Sequence, residues 1–293
     1  MKLFVNDLTV IDSSVVYVDR GVVGESWIVD LQLTGNLNDE SMVLDFGLVK
    51  KQIKSLIDQL VDHCLIVPSR APSLAFDRSS TKTWVKNSFC RAASFYVQGP
   101  EQAFCFIDAS YIDVETISKY LEQAILPQLP SNVQEISIKL REEQIDEPFY
   151  HYSHGLKKHT GNCQRIAHGH RSRIKIFKNG QLDSLLQSFW ADRWKDIYIV
   201  TEEDINLSKP CDPARELGFG ENVYTSYESL QGYFEIILPR ERVEVVNVDS
   251  TVEQLANYIA SQLAELNPNQ KIEVQAFEGV GKGAIAEAMY IKN

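Results

Sequence analysis

Two stretches of the chain repeat the same succession of hydrophobic and polar positions. In each, four aliphatic residues recur at the spacing of one helical face: Val114, Ile117, Leu121 and Ile125 in the first stretch, and Val252, Leu255, Ile259 and Leu263 in the second. Each predicted helix is followed by a proline-containing break and then by an alternating strand, over 134–141 or 271–278. A repeated helix-then-strand unit in the two halves of the chain indicates a duplicated domain.

Further elements follow from capping signals and alternation. The pattern over 46–61 predicts an earlier helix with Asp45 as its N-cap, while Asp113 caps the next helix and Ser250 with Glu253 forms a capping box for the last. Alternation predicts strands at about 3–18, 22–33, 84–97, 102–108, 134–141, 171–178, 233–247 and 271–278. Each half therefore reads strand, strand, helix, extra hairpin, helix, strand.

This succession predicts an α+β fold in two tandem copies. Each copy is expected to form an antiparallel sheet with two helices on one face. The segment Asp146–Pro148 is the predicted junction, which gives domains of 1–146 and 147–293.

Composition narrows the classes of function. The chain has 293 residues and a net charge of -11, which argues against a general nucleic-acid or membrane-surface binder, since such proteins carry a basic face. No stretch reaches the roughly 18 apolar residues that a membrane span needs, and the amino terminus lacks the apolar run of a signal peptide. Five cysteines without a regular spacing predict a reducing, cytoplasmic location.

A cluster of histidines suggests a metal site. Five of the six histidines lie within 151–170, beside Cys163, and His168-Gly-His170 stands at the entrance to the strand predicted from Arg171. In a strand, residues i and i+2 point to the same face, so two imidazoles there can share one ion. A third histidine from another segment would complete an open site, and chance clustering is the alternative.

The same region is locally basic. Between Pro148 and Leu182 there is no acidic residue, whereas seven basic ones occur: Lys157, Lys158, Arg165, Arg171, Arg173, Lys175 and Lys178. In an acidic chain, this field suits a polyanionic ligand such as a triphosphate. A solvated outer strand face is the alternative, because Arg173 and Lys175 alternate with isoleucines.

These residues resemble the 6-pyruvoyl- and 6-carboxytetrahydropterin synthase family. His154-Gly-Leu156, Cys163 and His168-Gly-His170 look like that family's first zinc histidine, catalytic cysteine and paired zinc histidines. The resemblance extends in the second half to the pterin-anchoring glutamate at Glu278 and to the helix-opening motif at Ser250-Thr251-Val252-Glu253.

The first half resembles other parts of the same family. Met42–Gly47 is similar to the start of its first helix, Val61-Asp62-His63 to its Leu-Asp-His motif, and Glu142 to its anchoring glutamate. The paired histidines are replaced there by Val23-Gly24-Glu25, so this half is expected to bind no zinc. The second half in turn reads Lys195-Asp196-Ile197 in place of Asp-His.

Each half thus keeps what the other has lost, which leads to the hypothesis of one composite site, formed by a second half and a first half of the same or of a neighbouring chain. The resemblance implies a T-fold (tunnelling fold) in each copy and Zn²⁺ bound by His154, His168 and His170. It implies Cys163 as the general base, with its thiolate favoured by zinc and nearby arginines, and Asp62 with His63 as a second proton carrier. The implied substrate contacts are Glu278, Glu142, Thr251, Arg165 and Arg171.

The function implied by the resemblance is that of a lyase. Its substrate would be dihydroneopterin triphosphate or a related reduced pterin, as in biosynthesis of the queuosine or tetrahydrobiopterin type. The alternative is a zinc-containing pterin- or purine-binding protein that has lost turnover. An unrelated zinc hydrolase is a weaker reading, because 148–182 offers no carboxylate base. A homo-oligomer is expected, since open sheet edges would otherwise remain.

Overall fold

The computed structural model describes residues 1–79, 82–206, 217 and 221–292. The first half contains β1 Lys2–Tyr17, β2 Gly21–Gly35, α1 Phe46–Leu48, a π-helical turn Val49–Ile53, α2 Lys54–Leu60, β3 Leu65–Pro68, β4 Leu74–Arg78, β5 Thr83–Asn87, β6 Phe95–Gly99, β7 Phe104–Ile107, α3 Val114–Ile125 and β8 Val133–Arg141. The second half contains β9 Phe149–His154, β10 His168–Lys178, β11 Gln181–Leu182, α4 Ser184–Arg193, β12 Ile197–Thr201, β13 Asn222–Ser229, β14 Gly232–Pro239, β15 Val243–Val246, α5 Val252–Leu266, β16 Lys271–Phe277 and β17 Gly283–Met289.

The main sheets of the two halves share one strand order. The first runs β7-β3-β1-β2-β8 and the second β15-β12-β9-β10-β16-β17, with β11 beside β10. The registers also correspond: Ser14 of β1 lies opposite Gly24 and Leu65, and Ser153 of β9 lies opposite Gly169 and Tyr198. This correspondence assigns each position of one sheet a counterpart in the other.

Helices cover one face of each main sheet. Ile53 and Ile57 of the first helical segment and Leu121 of α3 are fully buried in one core with β1, β2 and β8. Trp190 of α4 and Ile259 of α5 are fully buried in a second core with β9, β10 and β16. Complete burial of such side chains contributes about 1.5–3 kcal/mol each, so these two faces stabilise the two halves separately.

The extra hairpins of the two halves form a third sheet. Its order is β13-β14-β6-β5-β4, and β14 of the second half pairs with β6 of the first. Phe95 and Phe234 are fully buried beneath it, in a core that also contains Tyr198 and Leu65 from the main sheets. This shared core joins the halves.

The structure corrects several sequence predictions. The sheets are mixed, because β3 and β12 each follow a helix, whose crossover allows parallel pairing with β1 and β9. The predicted strands 84–97 and 233–247 are each two strands separated by a single 3₁₀ turn. The sequence analysis missed seven strands and a helix: β3, β4, β9, β11, β12, β13, β17 and α4.

The helix caps are partly as predicted. Asp45 and Asp113 accept hydrogen bonds from the first-turn N–H groups of their helices. Ser250 is not the cap of α5: Thr251 takes that position and accepts from the backbone N–H of Gln254. Ser250 is free for another contact, described below.

Two further observations concern the whole described chain. None of its helices combines the length and the apolar character that crossing a membrane would require. Cys64, Cys90, Cys105 and Cys163 are free thiols, and Cys211 lies outside the described residues.

Candidate active site

Three histidines meet on two neighbouring strands. His168 and His170 lie at the start of β10, and His154 at the end of β9 lies directly opposite His168 in the antiparallel ladder. All three are buried. One ligand atom from each, together with a carboxylate oxygen of Glu278 after β16, falls within a set whose members lie within 4.8 Å of one another.

The cluster fits a metal ion because each of the three histidines keeps at least one ring nitrogen without a hydrogen-bond partner in the described structure. His154 Nδ1 lies 3.0 Å from Ser250 Oγ, which leaves His154 Nε2 without a hydrogen-bond partner in the described structure. Both nitrogens of His168 and both of His170 also lack hydrogen-bond partners there. Buried polar atoms are rarely left so, since each costs about 1–3 kcal/mol. Three imidazoles with an adjacent carboxylate are a donor set that suits zinc.

The protonation states agree with this. Burial holds the pKa of His154 and of His168 well below the usual histidine range, and the neighbouring histidines lower it further. Both rings are therefore neutral at physiological pH, which is the form that coordinates a metal.

A cysteine, a histidine and an aspartate lie in contact beside the histidine cluster. Cys163 Sγ lies 3.3 Å from His63 Nε2, and His63 Nδ1 lies 2.6 Å from Asp62 Oδ2. The ring of His63 also packs on that of His168, with centroids 4.3 Å apart. Asp62 and His63 of the first half thus reach Cys163 of the second half within one chain, as the composite-site hypothesis expects.

The backbone holds His63 in an uncommon conformation. Its φ is 57°, in the left-handed region, and its N–H donates to the carbonyl of Asp12 at 3.0 Å. Such a φ costs of order 1–3 kcal/mol for a residue other than glycine and persists only where its surroundings enforce it. Here it turns the chain from α2 into β3 and aims the imidazole at the thiol.

The charge of His63 is set by two neighbours. Burial disfavours its protonated form, but the Asp62 carboxylate and the sulfur of Cys163 outweigh burial and raise the pKa of His63 to about 10. The imidazolium form is therefore favoured beside Cys163. Such a pair can move a proton in either direction.

The loop that carries Cys163 is held by the turn between β13 and β14. The Gln231 backbone N–H donates to Gln164 Oε1 at 3.0 Å, and its side-chain amide donates to Asn162 Oδ1 at 2.8 Å. Its amide oxygen accepts from Arg165 Nε at 2.9 Å. One residue of the inserted hairpin thus fixes both sides of Cys163.

Comparison with known proteins supports the family. The family model of 6-pyruvoyl tetrahydropterin synthase matches residues 20–151. The match spans somewhat less than half of the chain, and over this part the chain is similar to that synthase family. The match includes Asp62 and His63 and ends before His154, so the histidine cluster lies outside it.

Solved structures of this synthase are also similar. The enzyme from Plasmodium vivax has 18% identity and a TM-score of 0.40, covering 50% of this chain and 93% of that one. The synthase from Plasmodium falciparum has 18% identity and a TM-score of 0.38, covering 48% and 90%. A search of curated proteins finds no match.

The residues suggested by resemblance to the synthase as substrate contacts fall into two groups. Glu278 lies at the histidine cluster, 3.7 Å from His170 Nε2, and Arg165 lies on the Cys163 loop, where it donates to Gln231. Thr251 caps α5 and lines a cleft of about 150 Å³ with the loop after His154. Glu142 and Arg171 instead pair with each other at 3.5 Å.

The basic stretch is largely neutralised by carboxylates that are distant in sequence. Only Arg165 of its seven members has no carboxylate partner in the described structure, and it contacts Gln231 and Cys64. The others pair as follows: Lys157 with Glu203 and Asp204, Lys158 with Asp249, Arg171 with Glu142, Arg173 with Glu143, Lys175 with Glu147, and Lys178 with Asp183. The sequence run alone therefore overstated the free positive charge.

A second buried cluster lies in the main sheet of the first half, at the position that corresponds to the histidine cluster. Glu25 stands where His170 stands, and Asp196, with a φ of 56°, stands where His63 stands. The guanidinium of Arg20 lies between these carboxylates, 2.6 Å from Asp196 and 4.0 Å from Glu25. His151 Nδ1 lies 3.5 Å from Glu25.

Two site residues were missed by the sequence analysis. Asp12 on β1 is buried, and its carboxylate lies 3.2 Å from His170 Nδ1 and 3.4 Å from Lys282 Nζ. Burial opposes ionisation of Asp12, but His170 and Lys282 outweigh it and lower the pKa to about 2. No sequence motif marks either residue. Asp12 and Lys282 come together because β1 packs against the second half.

Proposed function

We propose that the protein is a zinc-dependent lyase of the 6-pyruvoyl- or 6-carboxytetrahydropterin synthase type, with one composite site per chain. The observation that carries this proposal is the 3.3 Å contact between Cys163 and His63, beside three buried histidines with unpartnered ring nitrogens. Catalytic cysteine, proton carrier and metal donors are thus within reach of one small molecule. The family match supports a reduced pterin as the substrate class.

His154, His168 and His170 would hold the zinc ion. When bound, zinc supplies a Lewis acid that acidifies C–H and O–H bonds next to a substrate oxygen. We assign Glu278 to the substrate instead of to the metal, because its side chain is 19% exposed whereas that of His170 is fully buried. A carboxylate in this position can accept a pair of hydrogen bonds from the amide N–H and amino group of a pterin.

Cys163 and His63 would carry the protons. The Cys163 thiolate takes a proton from a C–H bond of the substrate side chain, and the His63 imidazolium returns one to the neighbouring atom. Asp62 fixes the tautomer and orientation of His63 through the 2.6 Å contact to Nδ1. General acid–base groups placed in this way typically contribute about 10²–10⁴-fold in rate.

The second candidate is a protein that binds a pterin or purine without turnover. The observation in its favour is the pairing of six basic residues with the chain's own carboxylates, which leaves little free charge for a triphosphate. A reduced pterin without a triphosphate would satisfy the same observation and retain the lyase chemistry. The intact Cys163–His63 contact places the lyase first.

We propose further that the two halves arose by duplication and that the protein forms a homo-oligomer in the cytoplasm. The shared strand order and register support duplication. Among the described residues, no strand pairs with the outer sides of β8 and β17, and Ile285 and Met289 on β17 are mostly exposed. Open edges of this kind favour pairing with another chain. Free thiols in the described residues agree with a reducing compartment.

The test is a zinc measurement combined with an assay of the purified protein. About one zinc per chain, together with release of triphosphate from dihydroneopterin triphosphate, is the expected result. One zinc without release from this substrate or conversion of other reduced pterins would favour the binding protein. A chain that takes up no zinc would contradict the assignment of the histidine cluster.

A further inference from the structure

We propose that Asp12, in the first half of the chain, is a positioning residue for the metal ligand His170 in the second half. The inference rests on the metal site proposed above. It adds a contribution of the first half to the metal centre, besides the proton carriers Asp62 and His63.

The first step concerns the ring of His170. Asp12 Oδ1 lies 3.2 Å from His170 Nδ1, and Glu278 Oε1 lies 3.7 Å from His170 Nε2. No described residue makes a hydrogen bond of good geometry to either nitrogen, so the carboxylate is the nearest group that can fix the ring. It favours a proton on Nδ1 and leaves Nε2 with its lone pair facing the cluster. Carboxylates behind ligating histidines set orientation and basicity in this way.

The second step concerns the rigidity of the carboxylate itself. Ser26 Oγ donates to Asp12 Oδ1 at 2.5 Å, and Lys282 Nζ lies 3.4 Å from Oδ2. Gly279 packs so closely that a Cβ there would lie 2.5 Å from Oδ1, and its φ of 68° also favours glycine. The carboxylate is therefore enclosed on three sides, as a group that must hold a ligand in one orientation requires.

The third step links the metal site to the proton carriers. The backbone N–H of Asp12 donates to Asp62 Oδ1 at 2.8 Å, and its carbonyl accepts from the His63 N–H at 3.0 Å. The side chain of Asp12 thus orients the proposed metal ligand His170, while its backbone holds Asp62 and His63. Changing the side chain alone should weaken metal binding and leave these two backbone contacts available.

The test compares Co²⁺ affinity of metal-free wild type with Asp12→Ala and Asp12→Asn, followed by visible absorption. Loss of a carboxylate that holds a metal-ligating histidine typically costs about 10–100-fold in metal affinity, and we expect this for Asp12→Ala together with an altered absorption spectrum. Asp12→Asn keeps an oxygen acceptor but loses the charge, so it should weaken binding less. His151→Ala is the matched control, because His151 is the register counterpart of Asp12 beside Glu25; it should bind Co²⁺ like wild type.

Each other outcome is decisive. Circular dichroism shows which variants are folded, and if Asp12→Ala is unfolded the comparison rests on Asp12→Asn. Folded Asp12 variants that bind Co²⁺ with wild-type affinity and spectrum would overturn the role of Asp12 alone. A wild type that binds no Co²⁺ would overturn the metal site and this inference together. Equal weakening by His151→Ala would reduce the role of Asp12 to general support of the fold.

Discussion

Two buried clusters at corresponding positions of the main sheets satisfy their polar groups in opposite ways. Around Glu25, the guanidinium of Arg20 supplies a positive charge from within the chain, and Asp196 shares it. Around His170, five of the six ring nitrogens of three histidines remain without hydrogen-bond partners in the described structure. The first arrangement pairs its charges within the chain, although Glu25 Oε2 lacks a hydrogen-bond partner in the described structure. The second leaves donor atoms that could hold a metal ion, which agrees with the metal centre proposed above.

One backbone feature is common to both clusters. His63 and Asp196 have φ values of 57° and 56° at matching points between a helix and a parallel strand. The same strained turn therefore presents a proton carrier to Cys163 in one cluster and a carboxylate to Arg20 in the other. The fold supplies the position, and the residue type decides its use.

The largest expected effect is on Cys163. Cys163→Ala should lower turnover by about 10³-fold, because it removes the proposed general base, while zinc content stays unchanged. The control is Cys90→Ala, since Cys90 is half-buried outside both clusters. Steady-state kinetics with metal analysis measure both quantities. Retention of more than a tenth of the activity in Cys163→Ala would contradict its role.

The second prediction compares one residue from each cluster, the first expected to affect turnover and the second stability. His63→Ala should lower turnover by about 10²-fold with little change in stability. Asp196→Ala should leave turnover nearly unchanged but lower the free energy of unfolding by about 2 kcal/mol. The reason is that Arg20 loses its ion-pair partner Asp196, which is only 5% exposed. This value is reduced because the Arg20 side chain is 37% exposed. Kinetics and urea unfolding of both variants measure these effects. The contrast between the clusters would be wrong if both variants lose mainly turnover or both lose mainly stability.

The third prediction concerns the pH dependence of stability. Burial raises the pKa of Glu25 from 4.5 to about 7, despite the opposing effect of Arg20. The folded state therefore binds more protons than the unfolded state between these two values, so ionisation of Glu25 lowers stability as the pH rises. The charged and titratable groups that face Glu25 are Tyr17, Arg20, Glu142, His151 and Arg171.

Glu25→Gln tests this, because glutamine imitates the protonated acid. Relative to this variant, wild type should lose about 2 kcal/mol of unfolding free energy between pH 5 and pH 7. Comparing the two proteins at each pH removes most of the opposing contribution of His151, whose pKa is lowered by burial. Parallel curves for wild type and Glu25→Gln would mean that Glu25 does not titrate in this range.

Local signals in the sequence predicted much of the fold and part of the site. The periodicity of α3 and α5 and the caps Asp45 and Asp113 depend on neighbours along the chain, and these predictions are confirmed. The resemblance to the synthase family is confirmed for residues 20–151. The contact between His63 and Cys163 could be expected only because each half lacked what the other kept.

Long-range pairing could not be predicted from the sequence. The partners of the basic stretch lie far away in sequence, so a run without acidic residues looked more positive than it is. The strand β12 is short and parallel, and its pattern resembles that of any buried segment. Asp12 has no motif, and its role depends on how β1 packs beside β10.

The smallest expected effect concerns the hairpin formed by β13 and β14, which contacts the loop of Cys163. Gln231 at its turn holds Asn162, Gln164 and Arg165 around Cys163. Gln231→Ala should lower kcat by about tenfold with KM nearly constant, because a looser thiol is seldom aligned with its proton carrier. Leu230→Ala is the matched control, since Leu230 is 86% exposed at the same turn. Equal activity of both variants would mean that Cys163 is positioned by its own loop, and the hairpin would then serve only the core that joins the halves.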